Sequence, residues 1–291
     1  MNVQEGYKGL LMKFPVKVKY VLLLFLSIAV ILLGAYNIWN NNRIELTNIE
    51  ISNMNIPKEF KGTTIVQVSD FHNSMFGKDQ SKILDKLKAV KPDLILITGD
   101  LIDRRNTEID VAVSFVEEAI KIAPIYFVTG NHEVQSGEYD ILKPKLIEEG
   151  VIVLDNESVI LKLGQSTLKL AGIIDPGKIE GSGKVKKVNA SLASIEGESA
   201  DFSILLAHRP DLMKVYAKYD YDLIFSGHAH GGQFRFPFIG GLLAPDQGFF
   251  PKYDSGLYRL GKTTMIVSRG LGNSLFPFRL FNGPELIVVK L

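Results

Sequence analysis

Short hydrophobic runs alternate along the chain with segments whose apolar residues recur at helical spacing. This alternation is typical of an α/β protein in which helices cover a sheet. The predicted strands are residues 43–51, 64–68, 94–98, 125–129, 151–154, 158–163, 167–171, 203–207, 222–226 and 265–268. The predicted helices are residues 81–90, 110–122, 141–149 and 210–216.

Two segments show neither the hydrophobic runs of strands nor the regular apolar spacing of helices. Residues 177–197 are rich in Gly, Lys and Ser, which predicts a mobile loop or a weak helix near the strand ends. Residues 231–261 are dense in Gly, Pro and aromatic residues, which predicts an irregular but well-packed loop. Their aromatic side chains form either the core of that loop or a wall that faces lipid or substrate.

One apolar run stands apart from the alternation. Residues 20–36 carry no charge, and Trp39 follows closely. A bilayer is crossed by a helix of about 20 residues, often with Tyr or Trp at its ends, so a single transmembrane helix is predicted over residues 20–39. Four lysines precede the run, at positions 8, 13, 17 and 19, whereas only Arg43 follows it closely. The positive-inside rule therefore places residues 1–19 in the cytoplasm and the rest of the chain outside.

A cleaved signal peptide is the alternative interpretation of this run, because Leu33-Gly34-Ala35 places small residues near its end. The run is longer than the apolar part of a usual signal peptide, and it ends in the bulky Tyr36. We therefore expect the helix to be retained as a membrane anchor. Residues 40–61 then form a polar connector that includes the first strand.

Composition narrows the possible chemistry. A chain of 291 residues can bury a full core, and a net charge of +1 gives no sign of a nucleic-acid partner. The chain has no cysteine, which excludes thiolate ligands, disulfides and cysteine nucleophiles. Any metal site must therefore use nitrogen and oxygen ligands.

Polar clusters follow five of the predicted strands, and they contain all five histidines of the chain. The clusters are Ser69-Asp70-Phe71-His72, Gly99-Asp100-Leu101-Ile102-Asp103, Gly130-Asn131-His132-Glu133, Ala207-His208-Arg209-Pro210 and Gly227-His228-Ala229-His230. Ligands of α/β proteins collect outside the carboxyl ends of the strands, so the five clusters predict one site. Imidazoles, carboxylates and an amide together favour a transition-metal centre.

The candidate ligands are too many for one ordinary ion and suit two divalent ions. They are Asp70, His72, Asp100, Asn131, His208, His228 and His230. Asp100 is able to bridge both ions, and a pair of ions roughly 3.5–4 Å apart activates a shared water and neutralises phosphoryl charge. Phosphoester hydrolysis by a metal-bridging hydroxide is the predicted reaction, and Mn, Fe and Zn all suit these ligands. His132 is expected to protonate the leaving oxygen or to hold the phosphate.

In order and spacing, these clusters resemble the D-x-H, G-D-x-x-D, G-N-H-[DE], H and G-H-x-H blocks of the calcineurin-like metallophosphoesterases. Gly231-Gly232-Gln233 and residues 268–272 resemble more narrowly the membrane-associated bacterial branch that includes the YkuE and YaeI phosphodiesterases. The resemblance implies a metallophosphoesterase catalytic domain over residues 62–291, folded as a four-layer α/β/β/α sandwich. Unlike some relatives, the chain lacks a twin-arginine signal, which makes a transmembrane anchor the simpler expectation.

The resemblance also implies how the ligands divide between two ions. One ion is bound by Asp70, His72, Asp100 and His230, and the other by Asp100, Asn131, His208 and His228. His132 matches the family's general acid or phosphate-orienting histidine. Asp103 is expected to orient a neighbouring ligand or to cap a helix, and Glu133 to do the same or to be solvated.

The sequence thus predicts a single-pass, membrane-anchored phosphoesterase that cleaves phosphodiester or pyrophosphate bonds outside the cytoplasm. Lipid-linked and cell-wall phosphoesters are candidate substrates because of the anchor. A phosphomonoesterase or nucleotidase on the same scaffold is the first alternative. A non-catalytic metal-binding surface module and a membrane scaffold protein are the others.

Overall fold

The computed structural model describes residues 15–52, 55–197, 199–273 and 276–291. Lys8 and Lys13, which enter the prediction of topology, lie outside these residues. The chain divides into two compact units. The first unit ends at Trp39, and the second begins at Asn40.

The first unit contains a long apolar helix, α1, that spans Val16–Asn41. It has 26 residues, and none of its side chains is buried. At a rise of 1.5 Å per residue its length is about 39 Å, which exceeds the hydrocarbon thickness of a bilayer. Among the described residues, α1 is the one helix whose length and mean hydropathy of 2.5 allow it to cross a membrane. It extends further at both ends than the predicted 20–39.

The second unit, Asn40–Leu291, contains six helices and sixteen strands among its described residues. The helices are α2 (Ser81–Val90), α3 (Ile109–Ala119), α4 (Asn131–Ser136), α5 (Tyr139–Glu148), α6 (Gly181–Ser194) and α7 (Met213–Tyr216). The strands are β1 (Glu45–Glu50), β2 (Thr64–Val68), β3 (Leu94–Thr98), β4 (Ile125–Val128), β5 (Ile152–Val153), β6 (Glu157–Leu163), β7 (Ser166–Gly172), β8 (Phe202–Leu206), β9 (Leu223–Ser226), β10 (Arg235–Phe236), β11 (Gly240–Gly241), β12 (Leu243–Ala244), β13 (Gly248–Phe249), β14 (Gly256–Leu260), β15 (Thr263–Val267) and β16 (Glu285–Lys290).

Twelve of these strands form two six-stranded sheets. The first has the order β1-β16-β2-β3-β4-β5, and all of its neighbours are parallel except the β16–β2 pair. The second has the order β14-β15-β9-β8-β7-β6, with parallel strands at its centre and an antiparallel strand at each edge. Parallel neighbours point their carboxyl ends to the same side of each sheet.

Residues of the central strands alternate between two hydrophobic cores. Ile65 of β2 and Leu96 of β3 pack with Phe225 of the second sheet in the core between the sheets. Their neighbours Val66 and Ile95 instead join a core under α2, α3 and α5. A third core lies under α6 and α7 on the far face of the second sheet. Because both faces of each sheet are buried, the strands read as continuous apolar runs. The layers are therefore α/β/β/α, as the resemblance implied.

The structure decides one prediction about local structure and corrects others. Residues 177–197 contain helix α6, the second of the two predicted possibilities, because Val188 and Leu192 cover the second sheet. Residues 231–261 contain two short hairpins and strand β14 rather than one irregular loop. Residues 151–154 contain strand β5, as predicted, at the edge of the first sheet. Strand β16 was not predicted at all.

Candidate metal centre

The fold brings all five polar clusters to one place. Asp70, Asp100 and Asn131 follow the carboxyl ends of β2, β3 and β4 in the first sheet. His208 and His228 follow β8 and β9 in the second sheet. The candidate ligands therefore line the edge at which the two sheets meet, and each of them is buried.

A first group of possible ligand atoms consists of Asp70, His72, Asp100 and His230, all within 4.8 Å of one another. The Nε2 atoms of His72 and His230 are 3.2 Å apart, and His230 Nε2 is 3.3 Å from Asp70 Oδ1. Burial lowers the pKa of His72 to about 3, and it also lowers the pKa of His230. Both imidazoles are therefore neutral and able to bind a cation.

A second group consists of Asp100, His208 and His228. Asp100 belongs to both groups, because its Oδ2 lies 3.2 Å from His208 Nε2 and 3.7 Å from His72 Nε2. Its other oxygen accepts a hydrogen bond from the backbone N–H of His132 at 2.7 Å. The carboxylate of Asp100 is thus held between the two groups.

The hydrogen bonds of His208 and His228 fix which ring nitrogens carry protons. His208 Nδ1 lies 2.7 Å from the carbonyl oxygen of Thr98, which accepts only, so this nitrogen is the donor. His228 Nε2 donates to the carboxylate of Asp246 at 2.8 Å. In the neutral rings, the lone pairs of His208 Nε2 and His228 Nδ1 therefore face each other at 3.2 Å. Two acceptors do not bond to each other, so this pair fits a cation.

Asn131 adds a further sign of a missing partner. Its side chain is buried, and its Oδ1 has no hydrogen-bond partner among the described residues. Such atoms are rare because an unsatisfied buried oxygen costs free energy. Asn131 also lines the same groove as His228. The donor set therefore fits divalent cations held by nitrogen and oxygen.

The backbone of the centre is strained. Five of the candidate ligands have φ between 48° and 64°, a region that non-glycine residues rarely adopt: Asp70, His72, Asp100, His228 and His230. Gly99 (φ 90°) precedes Asp100, and a Cβ there would lie 2.7 Å from His208 Nδ1. Such strain persists only where the surrounding structure fixes it, and it is frequent at functional sites.

His132 lies beside the first group, with its ring centroid 4.4 Å from that of His72. Asn131 and His132 begin helix α4. Its Nδ1 accepts a hydrogen bond from the backbone N–H of Arg104 at 3.1 Å. Burial lowers the pKa of His132, so the ring is neutral and its proton is on Nε2.

Glu133 and Asp103 support the centre. Glu133 is fully buried rather than solvated, and its carboxyl group accepts hydrogen bonds from the backbone N–H groups of Asp100, Ile102 and Gly130. Burial and the nearby Asp100 raise the pKa of Glu133 to about 7. Asp103 lies 3.8 Å from His72 Nδ1 and is bound by Arg105. It therefore faces a ligand and does not cap a helix.

Asp246 is a residue of the centre that the sequence analysis missed. It lies in the turn between β12 and β13, and it accepts hydrogen bonds from His228 and from Lys184 at 2.8 Å each. Its carboxylate is also bound by Arg209. The hydrogen bond from His228, together with Lys184 and Arg209, holds the pKa of Asp246 below its usual value. No sequence signal near Asp246 marks this contact.

Most of the arginines near the centre are already neutralised. Arg209 is buried and donates two hydrogen bonds to Asp175, at 2.6 and 3.0 Å. Arg235 binds Asp254, and Arg279 is fully buried among backbone carbonyls. Arg104 lines a groove of about 510 Å³ together with Lys178, Asn131 and His228. This groove opens the centre to solvent.

Comparison with known proteins agrees with this geometry. The profile described as calcineurin-like phosphoesterase matches residues 63–232, a range that contains every candidate ligand. The chain belongs to this family. Metallophosphoesterase YkuE of Bacillus subtilis (strain 168) is 31% identical, over 85% of each chain.

Two further relatives bear on the activity and on the membrane. Phosphodiesterase YaeI of Escherichia coli (strain K12) is 29% identical, over 78% of this chain and 81% of its own. A transmembrane protein with a metallophosphoesterase domain from Bos taurus is 30% identical, over 83% of this chain and 55% of its own. This phosphoesterase is therefore a metal-dependent phosphoester hydrolase, and its clustered candidate ligands suit divalent cations.

Replacing Asp246 by alanine should weaken metal binding about 10- to 100-fold, because His228 loses the acceptor that fixes its tautomer. Titration of the metal-free full-length protein with Mn²⁺, followed by calorimetry, measures the change. Asp110→Ala is the matched control, since that carboxylate is 94% exposed. Equal affinities of native protein and Asp246→Ala would show that Asp246 does not position His228.

Metal binding should release a proton from His208. Burial alone would lower the pKa of this imidazole, but the Asp100 carboxylate beside it raises the pKa to about 10 in the metal-free protein. A cation takes the Nε2 lone pair only after the proton has left, so affinity should rise with pH below that value. The expected slope is about tenfold per pH unit for each proton released. Calorimetry at pH 6 and pH 8 tests this, and affinity independent of pH would contradict it.

Proposed function

We propose that this protein is a membrane-anchored phosphodiesterase with two divalent cations at its centre. The observation that carries the proposal is the sharing of Asp100 between two groups of buried ligand atoms. One group offers Asp70, His72 and His230, and the other offers His208 and His228. We assign Asn131 to the second group because its unpartnered oxygen lines the same groove as His228.

Two such cations, when bound, activate water for attack on phosphorus and neutralise the charge of the phosphoryl oxygens. Mn, Fe and Zn all accept imidazole and carboxylate ligands, and we propose one or a mixture of these. The chain's own groups fix the geometry before substrate arrives. Asp246, Thr98 and Glu133 hold ligands or ligand loops in place, which limits reorganisation during the reaction.

His132 acts on the substrate as a hydrogen-bond donor. Its Nδ1 is occupied by the backbone N–H of Arg104, so its Nε2 carries the proton in the neutral ring. From this position Nε2–H is able to bind a phosphoryl oxygen or to protonate the leaving oxygen. The hydrogen bond from Arg104 keeps the ring in the tautomer that this role requires.

A phosphodiester suits the charges around the centre better than a monoester does. A monoester carries about two negative charges near neutral pH and is favoured by uncommitted cations. Arg105, Arg209 and Arg235 are instead bound by carboxylates. Arg104 and Lys178 line the groove together with the carboxylates of Glu180 and Asp246, so the groove carries little excess positive charge. The groove of about 510 Å³ beside Asn131 and His228 gives room for the second ester group.

Helix α1 anchors the enzyme, with its first residues in the cytoplasm and the catalytic unit on the other side. Support comes from the length of α1, from the four lysines before its apolar run and from the interfacial aromatics Tyr20 and Trp39. With the catalytic unit held at a membrane surface, lipid-linked and cell-wall phosphoesters are the substrates within reach.

The activity is tested with bis-p-nitrophenyl phosphate, p-nitrophenyl phosphate and a nucleotide, using full-length protein loaded with Mn²⁺. We expect the diester to be cleaved fastest and a chelator to abolish turnover. Asp100→Asn should remove nearly all turnover, and His132→Ala should lower kcat by about 10²- to 10⁴-fold with the metal still bound. Asp110→Asn is the exposed control. Native turnover in the Asp100 or His132 variant would refute these roles, and faster cleavage of the monoester or the nucleotide would favour that alternative.

The topology is tested with single cysteines, which the cysteine-free chain makes possible. A membrane-impermeant maleimide should label Ile147→Cys, an exposed position of α5, in intact bacterial cells. Gln4→Cys should be labelled only after lysis, because the proposed topology places residues 1–19 in the cytoplasm. The reverse pattern would place the catalytic unit inside the cell.

A further inference from the structure

Two hairpins near the metal centre expose large apolar side chains to solvent. Phe238 and Ile239, at the tip of the β10–β11 hairpin, are 109% and 62% exposed. Phe249 and Phe250, at the end of the β12–β13 hairpin, are 70% and 65% exposed. Together with the exposed Phe236, these residues form what we call the aromatic surface. Single exposed apolar residues are common, but a continuous group of this kind marks a contact with a partner or a membrane.

The hairpins are held in the conformation that exposes them. Phe238 (φ 67°) and Phe250 (φ 55°) both have left-handed backbone conformations, which bulky residues rarely adopt. Asp254 fixes the base of the first hairpin, because its carboxylate binds Arg235 at 2.8 Å and the N–H of Gly241 at 2.7 Å. Tyr253 is buried, and the half-buried Phe234 packs against Phe276 and Phe278, so these residues form the loop core that was one of the two predictions. The aromatic surface is the part that projects.

The base of the first hairpin is linked by hydrogen bonds to the place where the chain enters the second unit. The side chain of Asn41 exchanges hydrogen bonds with the backbone of Arg279 at 2.8 and 2.9 Å. The neighbouring Leu280 accepts a hydrogen bond from the N–H of Arg235, the first residue of β10, at 2.9 Å. Residues 279 and 280 thus contact both Asn41 and the first hairpin.

Few residues separate the end of helix α1 from the first strand. Helix α1 ends at Asn41, and β1 begins at Glu45. Three residues span at most about 10 Å, and the last of them, Ile44, is buried. If α1 crosses a bilayer, the surface of that bilayer would therefore lie close to Asn41 and to Arg279, which contacts it.

The aromatic surface also borders the metal centre. Asp246, in the turn of the second hairpin, lies 2.8 Å from His228. Phe249 follows Asp246 by three residues, so the two backbones are at most about 10 Å apart. A membrane in contact with these side chains would have its phosphate groups near the groove.

We propose that the aromatic surface inserts into the interfacial region of the bilayer that α1 crosses. Exposed aromatic side chains suit this region, where an apolar ring is buried at the depth of the headgroups. The catalytic unit then rests on the membrane with its groove among lipid phosphates, so the substrate is a phosphoester carried by a membrane lipid. This inference rests on the membrane anchoring proposed above.

The test uses the full-length protein with a single cysteine at Phe238→Cys, labelled with an environment-sensitive fluorophore and placed in phosphatidylcholine–phosphatidylglycerol nanodiscs. We expect a blue shift and a loss of about half the emission or more with nitroxide-labelled lipids, as for a group buried roughly 5–10 Å below the surface. Phe249→Cys should behave in the same way. Leu163→Cys is the control, because it is exposed before the amino end of β7, at the opposite end of the sheet from His208.

Emission at positions 238 and 249 quenched no more than at position 163 would overturn the proposal. Emission changes that depend on protein concentration in detergent, and not on lipid, would overturn it in favour of a second copy of the chain. Turnover of soluble bis-p-nitrophenyl phosphate by the same labelled proteins should match the native rate, since neither side chain touches a ligand. Loss of that turnover in native protein would refute the proposed activity, and the quenching experiment would still report on the membrane contact.

Discussion

The buried carboxylate of Asp100 is the constraint on which the rest of the centre depends. It lies between His72 of one ligand group and His208 of the other, so both groups must approach one side chain. Those groups come from two different sheets, and the sandwich must bring the carboxyl ends of both sheets to the same edge. Gly99 and the left-handed conformation of Asp100 are local results of this requirement. Without a cation, a proton on His208 Nε2 lies between the facing acceptor atoms, and binding of a cation displaces it.

Charged groups behind the ligands balance this arrangement. Asp246 is bound by Lys184, Arg209 and His228, so its negative charge is neutralised on three sides. Within the part of the chain that the structure describes, Glu133 has no cationic partner and instead accepts hydrogen bonds from three backbone N–H groups. The carboxylate of Asp246 fixes the imidazole of His228, and the carboxyl group of Glu133 fixes the loops that carry Asp100 and Asn131. Both reduce the motion available to the ligands, which is what an efficient centre requires.

The position of the candidate ligands was predictable because it follows from one rule about parallel sheets. Apolar runs such as Thr64–Val68 and Leu94–Thr98 were recognisable as strands, and the polar residues after them had to share an edge. Strand β16 carries an equally clear apolar pattern, so its omission was an error of interpretation and not a lack of signal.

Other features depend on contacts that no local pattern encodes. The roles of Asp246 and Glu133 arise from a distant turn and from three backbone groups, and left-handed conformations at five non-glycine ligands oppose ordinary residue preferences. Composition also could not decide which aromatic residues of the two hairpins are covered and which are exposed. That division follows from the hydrogen bonds of Asp254.

The concentration of every histidine at the centre has a consequence for the whole molecule. Imidazole is the side chain that ordinarily gains or loses charge between about pH 5 and 8, and this chain has neither a histidine elsewhere nor a cysteine. Inside the centre, however, burial lowers the pKa of His72 to about 3, and the Asp100 carboxylate outweighs burial and raises that of His208 to about 10. These imidazoles therefore keep their charge state across the neutral range unless a cation binds. Loading or stripping the ions changes the protein's overall electrostatics from within, while its outer charges stay constant.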